Sequence, residues 1–85
     1  MNKRKFVEEL SKYLNLSTET CYQIDEILED NFFISKSNKD KIITILIKEL
    51  NMDEEKAIEV YDTAKKIFNR EIKYRLLHPF KDLDK

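Results

Sequence analysis

Glycine and tryptophan are absent from this chain, and proline, histidine and cysteine occur once each, as Pro79, His78 and Cys21. Without glycine the tight primed turns of β-hairpins are hard to build, which argues against an all-β fold. The same absence removes the Gly-rich phosphate loops of the Walker and Rossmann types. A lone cysteine cannot form an internal disulfide, and a small domain without such a staple fits a reducing cytosol. Long apolar runs are missing as well. The longest, Ile42–Ile47, is interrupted by Thr44, far short of the roughly 18–20 residues that span a bilayer. The basic start Met1–Lys5 meets Glu8 and Glu9 within two turns, so no signal-peptide core follows it. A cytoplasmic location without a membrane partner is the expectation.

What remains is a chain of 85 residues that is 39% charged and 41% hydrophobic. That length suits one small domain. Lys and Arg number 16 against 17 Asp and Glu, a net charge of −1, which favours neither a strongly basic nor a polyanionic partner. The apolar residues are patterned rather than depleted, unlike those of disordered chains.

A shift of 36 residues brings the sequence onto itself, with nine identities in the 31 positions between residues 2 and 32. Leu14-Asn15-Leu16-Ser17 meets Leu50-Asn51-Met52-Asp53, Cys21 meets Ala57, and Phe32 meets Phe68. The unit reads as a helical hairpin occurring twice. Phe6, Val7, Leu10, Tyr13 and Leu14 share one helix face. Asn15 suits the left-handed stop usually filled by glycine, Leu16 the fold-back that follows it, and Ser17 the cap of the next helix. Asn51, Met52 and Asp53 repeat those three devices.

These signals predict an all-α four-helix bundle of two tandem, repeat-related hairpins. The helices are expected at 3–14, 18–33, 38–50 and 54–77. One helical domain would cover 1–78, with hairpin repeats 2–34 and 38–77 and an irregular tail at 79–85. The expected core is Leu10, Leu14, Ile24, Leu28, Ile43, Leu46, Leu50, Val60, Ala64 and Phe68. In the third helix the apolar residues from Ile42 to Leu50 cover about 200° of the circumference, so this helix is either the centre of the monomer or part of an oligomer interface.

Chemistry has few candidates. Cys21 lies on the predicted core stripe and His78 at a helix end, and their spacing supports no nucleophile and base. Glu26, Glu29 and Asp30, with Asp25 nearby, make an acidic face on the second helix. They show neither a calcium-loop spacing nor a zinc pattern. No enzyme activity, metal or cofactor is expected.

Two surfaces stand out. Phe32, Phe33 and Ile34 are consecutive, so they cannot all face one core. Together with the overfilled third helix and an apolar end to the fourth, they point to a protein interface, with Phe33, Ile45, Ile47, Tyr74, Leu77 and Phe80 as candidates. The partner would be another protein or a second copy, as in a homodimer. The second surface is a cationic stripe, Lys66, Arg70 and Lys73, at i, i+4 and i+7 on the fourth helix. Such a stripe can contact phosphates, and the same cations also complement the helix dipole on a solvated face.

The Phe6-Val7 pair, Leu14-Asn15-Leu16-Ser17 and the Ile24, Ile27, Leu28 stripe resemble the N-terminal helical hairpin of the HU/IHF histone-like DNA-binding family. The likeness covers residues 1–33 and, more loosely, 38–68. It implies a hairpin that packs against another hairpin, the role this element has in that family's dimers. The family's DNA-gripping arms have no counterpart here, since a second helical hairpin follows the first, so no DNA-contacting residue carries over. The leading expectation is a non-enzymatic protein-interaction or oligomerisation module. A small nucleoid-type or regulatory DNA-binding protein using the basic stripe, with Lys3, Arg4 and Lys5, is the second.

Overall fold

The computed structural model describes the backbone of residues 3–77 and the side chains of residues 3–71. Among the described residues the chain is all-α, with helices α1 (Lys3–Leu14), α2 (Thr18–Asp30), α3 (Lys39–Leu50) and α4 (Glu54–Leu77), and a single 3₁₀ turn at Lys36–Asn38 before α3. Helix α1 packs beside α2 and α4, and α3 packs beside the same two. The result is a four-helix bundle with α1 and α3 on the diagonal.

The two connections at 15–17 and 51–53 are built alike. Asn15 and Asn51 hold left-handed backbone at φ 56° and 55°, conformations asparagine tolerates better than most residues. Beyond Asn15 the Leu16 N–H returns to the Ser11 carbonyl at 3.3 Å, closing the end of α1 as a Schellman turn. Ser17 then caps α2 by accepting from the Thr20 N–H at 3.1 Å. Asp53 caps α4 in the same way, accepting from the Lys56 N–H at 2.7 Å. Each cap satisfies a donor that the first helical turn leaves open. Lys56 also reaches across to the Leu14 carbonyl at 3.3 Å, tying the two connections together.

Past these turns the two halves diverge. Helix α2 ends at Asp30, whereas α4 runs through the corresponding positions to Leu77. Phe32 and Phe68, aligned by the 36-residue shift, therefore have different surroundings: Phe32 is exposed and Phe68 packs against the core.

Leu10, Leu14, Ile24, Leu28, Leu46, Val60 and Ala64 are buried as expected, joined by Phe6, Val7, Cys21, Ile42, Ala57, Tyr61 and Ile67. Ile43, Leu50 and Phe68 are only partly buried and line the edge of this core. Helix α3 shows why: Ile42 and Leu46 face inward, and the wide apolar arc leaves its flanking residues at the margins. The second helix was expected to reach residue 33. It stops earlier because Phe32 takes up left-handed backbone at φ 48°.

Candidate protein interface

Three consecutive apolar residues leave α2 with more hydrophobic surface than one face can hide, and the turn sorts them. Asn31 closes the helix with both its N–H and its side-chain Nδ2 on the Ile27 carbonyl, at 3.2 and 2.8 Å. The Phe32 N–H then bonds the Glu29 carbonyl at 3.2 Å and the Phe33 N–H the Leu28 carbonyl at 3.0 Å. This is a Schellman ending with phenylalanine where glycine or asparagine usually stands. Left-handed backbone costs a residue with a Cβ about 1–2 kcal/mol.

The reversal turns Phe33 inward. It is 8% exposed, with its ring 6.3 Å from that of Phe6 and 5.1 Å from that of Phe68. Its neighbours turn outward: Phe32 is 62% exposed and Ile34 48%. Phe33, expected at the interface, is thus a core residue, and Phe32 and Ile34 are the exposed members of the three.

The turn is held from beneath by its own carbonyls. Phe32 O accepts from the Ser35 N–H at 3.2 Å and from Asn38 Nδ2 at 3.1 Å. Phe33 O accepts from the Tyr61 hydroxyl at 3.3 Å, and Ile34 O from Lys65 Nζ at 3.1 Å. Lys65 also lies over the Phe33 ring, 5.9 Å from its centroid, and Lys39 lies 5.7 Å from the Tyr61 centroid. Burial, and then nearby Asp62, pushes the Tyr61 hydroxyl above the usual tyrosine range, so it remains a donor. Three successive carbonyls bonded by α4 and the 3₁₀ turn make the 32–34 segment an apolar knuckle with defined backbone contacts.

Other expected interface residues fall elsewhere. Ile45 and Ile47 are partly buried against the core rather than free, because α2 and α4 flank α3 on two sides. The side chains of Tyr74 and Leu77 lie outside the described residues, as do those of His78, Phe80 and Lys73.

The basic stripe is divided. Lys66 is exposed. Arg70 bonds Glu9 through Nη2 and the Tyr13 hydroxyl through Nη1, the latter at 3.3 Å. These two contacts, Tyr13 first, push the guanidinium pKa still higher and tie α4 to α1. Tyr13, Thr63, Lys66, Ile67 and Arg70 line a groove of about 450 Å³ along this α1–α4 seam.

One charged group sits in the core. Asp25, expected near the exposed acidic face, is 5% exposed, because residues 21, 24, 25 and 28 share one helix face. Its Oδ2 is 3.5 Å from Lys3 Nζ, an ion-pair distance, yet no directed hydrogen bond reaches that oxygen. Burial, reinforced by Glu29 and opposed by Lys3, raises its pKa to about 6. Among the described residues no cluster of His, Cys, Asp or Glu is placed to hold a metal ion, and no helix is long and apolar enough to cross a membrane.

No family model matches the chain, and neither a curated protein nor a solved structure matches it.

Proposed function

We propose that this chain is a small, non-enzymatic protein-interaction module that docks through the Phe32–Ile34 knuckle. The observation that carries the reading is the exposure of Phe32 and Ile34, 62% and 48%, on a turn whose three carbonyls are each hydrogen-bonded, that of Phe33 by the buried Tyr61 hydroxyl. A flexible apolar loop can fold onto its own protein when no partner is present. This one is held outward in a backbone region that disfavours phenylalanine, and strain of that kind gathers at functional sites. Burying both side chains against a partner gains about 25 cal/mol per Å² of apolar surface. Little conformational entropy is lost, because the turn is already ordered.

The nucleic-acid reading is weaker, since the central cation of its stripe, Arg70, is engaged by Glu9 and Tyr13.

A photoreactive benzophenone side chain in place of Phe32, irradiated in cells, tests the proposal. The expected result is a discrete higher-mass adduct that is absent when the same group replaces exposed Glu55. No adduct at position 32, or equal labelling at both positions, would overturn it.

A further inference from the structure

Resting on that reading, we propose that the knuckle's partner is an acidic segment of a different protein, with apolar side chains that cover Phe32 and Ile34 and carboxylates beside them. The stretch from Asn31 to Lys39 contains Lys36 and Lys39 and no acidic residue. The turn folds this charge against the exposed pair. The Ser35 N–H and Asn38 Nδ2 both bond the Phe32 carbonyl, at 3.2 and 3.1 Å, and Lys36 lies between them in the chain. From α4, Lys65 Nζ bonds the Ile34 carbonyl at 3.1 Å, which puts a third ammonium group at the edge of the knuckle.

This charge is not neutralised within the chain. Lys39 pairs with Asp62 at 3.8 Å. Among the described residues neither Lys65 nor the exposed Lys36 has a carboxylate within ion-pair distance. Lys65 spends one of its three N–H donors on Ile34 and keeps two. Asp30 precedes the segment and Asp62 answers Lys39, two carboxylates against three ammonium groups. The chain as a whole carries −1, so the cationic rim is a local feature of the knuckle. A partner that covers Phe32 and Ile34 drives water from this rim and strengthens its electrostatics. Carboxylates placed there are attracted, and a basic partner is rejected.

A protein segment fits this rim better than an anionic bilayer. Electrostatic attachment to a membrane draws on clusters of about 4–8 Lys and Arg. A planar surface would also meet Asp30 and Asp62, which are exposed.

Photocrosslinking in cells from a benzophenone side chain at position 32, repeated in charge-reversed variants, tests the proposal. Lys36→Glu should lower the adduct yield about three- to tenfold, the scale of one exposed ion pair lost and one repulsion gained. Lys65→Glu should act in the same direction, and Lys36→Glu stands alone should Lys65→Glu disturb the turn. Lys66→Glu reverses the same charge about 100° further round α4 and should leave the yield unchanged. Mass spectrometry of the adduct should find Asp and Glu in excess of Lys and Arg on either side of the crosslinked residue. Equal yields in all three variants, a crosslinked segment with basic residues in excess, or an adduct joining two copies of this chain overturns the acidic-partner proposal and leaves the docking reading standing. No adduct at position 32 removes the docking reading itself. In that case, lysine-dependent flotation of the chain with phosphatidylserine vesicles would assign the surface to lipid.

Discussion

The ring of Phe33 meets that of Phe68 edge-on, with centroids 5.1 Å apart and planes inclined at 70°. This contact joins the end of α2 to the middle of α4 and fixes which of three consecutive apolar residues enters the core. Phe33→Ala should cost about 3–5 kcal/mol, the range for losing a buried aromatic ring. Chemical denaturation followed by circular dichroism gives the value, and a loss below about 0.5 kcal/mol would place Phe33 at the surface.

Phe32→Gly should stabilise the fold. Glycine takes φ 48° without the clash that Cβ introduces, and the exposed ring contributes little to the core. The expected gain is about 1 kcal/mol, within the penalty for left-handed backbone. A clear loss of stability would show that Phe32 packs within its own chain.

Leu46→Ala should cost about 2–5 kcal/mol, since Leu46 is fully buried at the inward face of α3. The same substitution at the partly buried Ile45 should cost less. Equal losses would mean that α3 is covered evenly on all sides.

The buried carboxylate predicts a pH dependence of a particular sign. Asp25 has a folded-state pKa of about 6, above the value near 3.9 for an unfolded aspartate. Folding therefore favours the protonated acid. Its stabilising contribution is full below about pH 4 and is lost as pH rises through about 6. Asp25→Asn should accordingly raise stability by about 1–3 kcal/mol at pH 7.5 and by little at pH 4. Urea melts of wild type and variant at the two pH values measure the difference. A variant less stable than wild type at pH 7.5 would show that the Lys3 pair outweighs the burial of the charge.

Tyr61→Phe should cost about 0.5–1.5 kcal/mol, the usual net worth of one hydrogen bond, by leaving the Phe33 carbonyl without its side-chain donor. Amide hydrogen exchange at residues 33–35 should accelerate in the variant. Unchanged exchange would mean that the knuckle is held by its local turn bonds alone.

Much of this architecture is written locally in the sequence. Asn15 and Asn51 are residues that accept left-handed backbone, and Ser17 and Asp53 are strong caps, so the helix limits around them follow from side-chain chemistry. The end of α2 follows no such rule. Its left-handed residue is phenylalanine, which local propensity disfavours, and the packing of Phe33 between Phe6 and Phe68 overrides that preference. Crowding at Phe32–Ile34 was legible as an excess. Which residue faces outward depended on the position of the reversal, a tertiary matter. Burial of Asp25 could have been read from its spacing with Cys21, Ile24 and Leu28, but its acidic neighbours Glu26 and Glu29 suggest a solvated face. The groove was not visible at all, because Tyr13 and Thr63 lie 50 residues apart in the chain.

A side-by-side substitution of the two adjacent phenylalanines tests the central claim most directly. Phe32→Asp and Phe33→Asp would be compared in one experiment that records thermal unfolding and binding of the partner trapped at position 32. Aspartate tolerates left-handed backbone, so Phe32→Asp should fold at least as well as wild type and lose association. Phe33→Asp should lose the fold, because it removes the ring packed between Phe6 and Phe68 and puts a carboxylate in its buried place. A Phe32→Asp protein that still associates like wild type, or a Phe33→Asp protein that folds normally, would contradict the account.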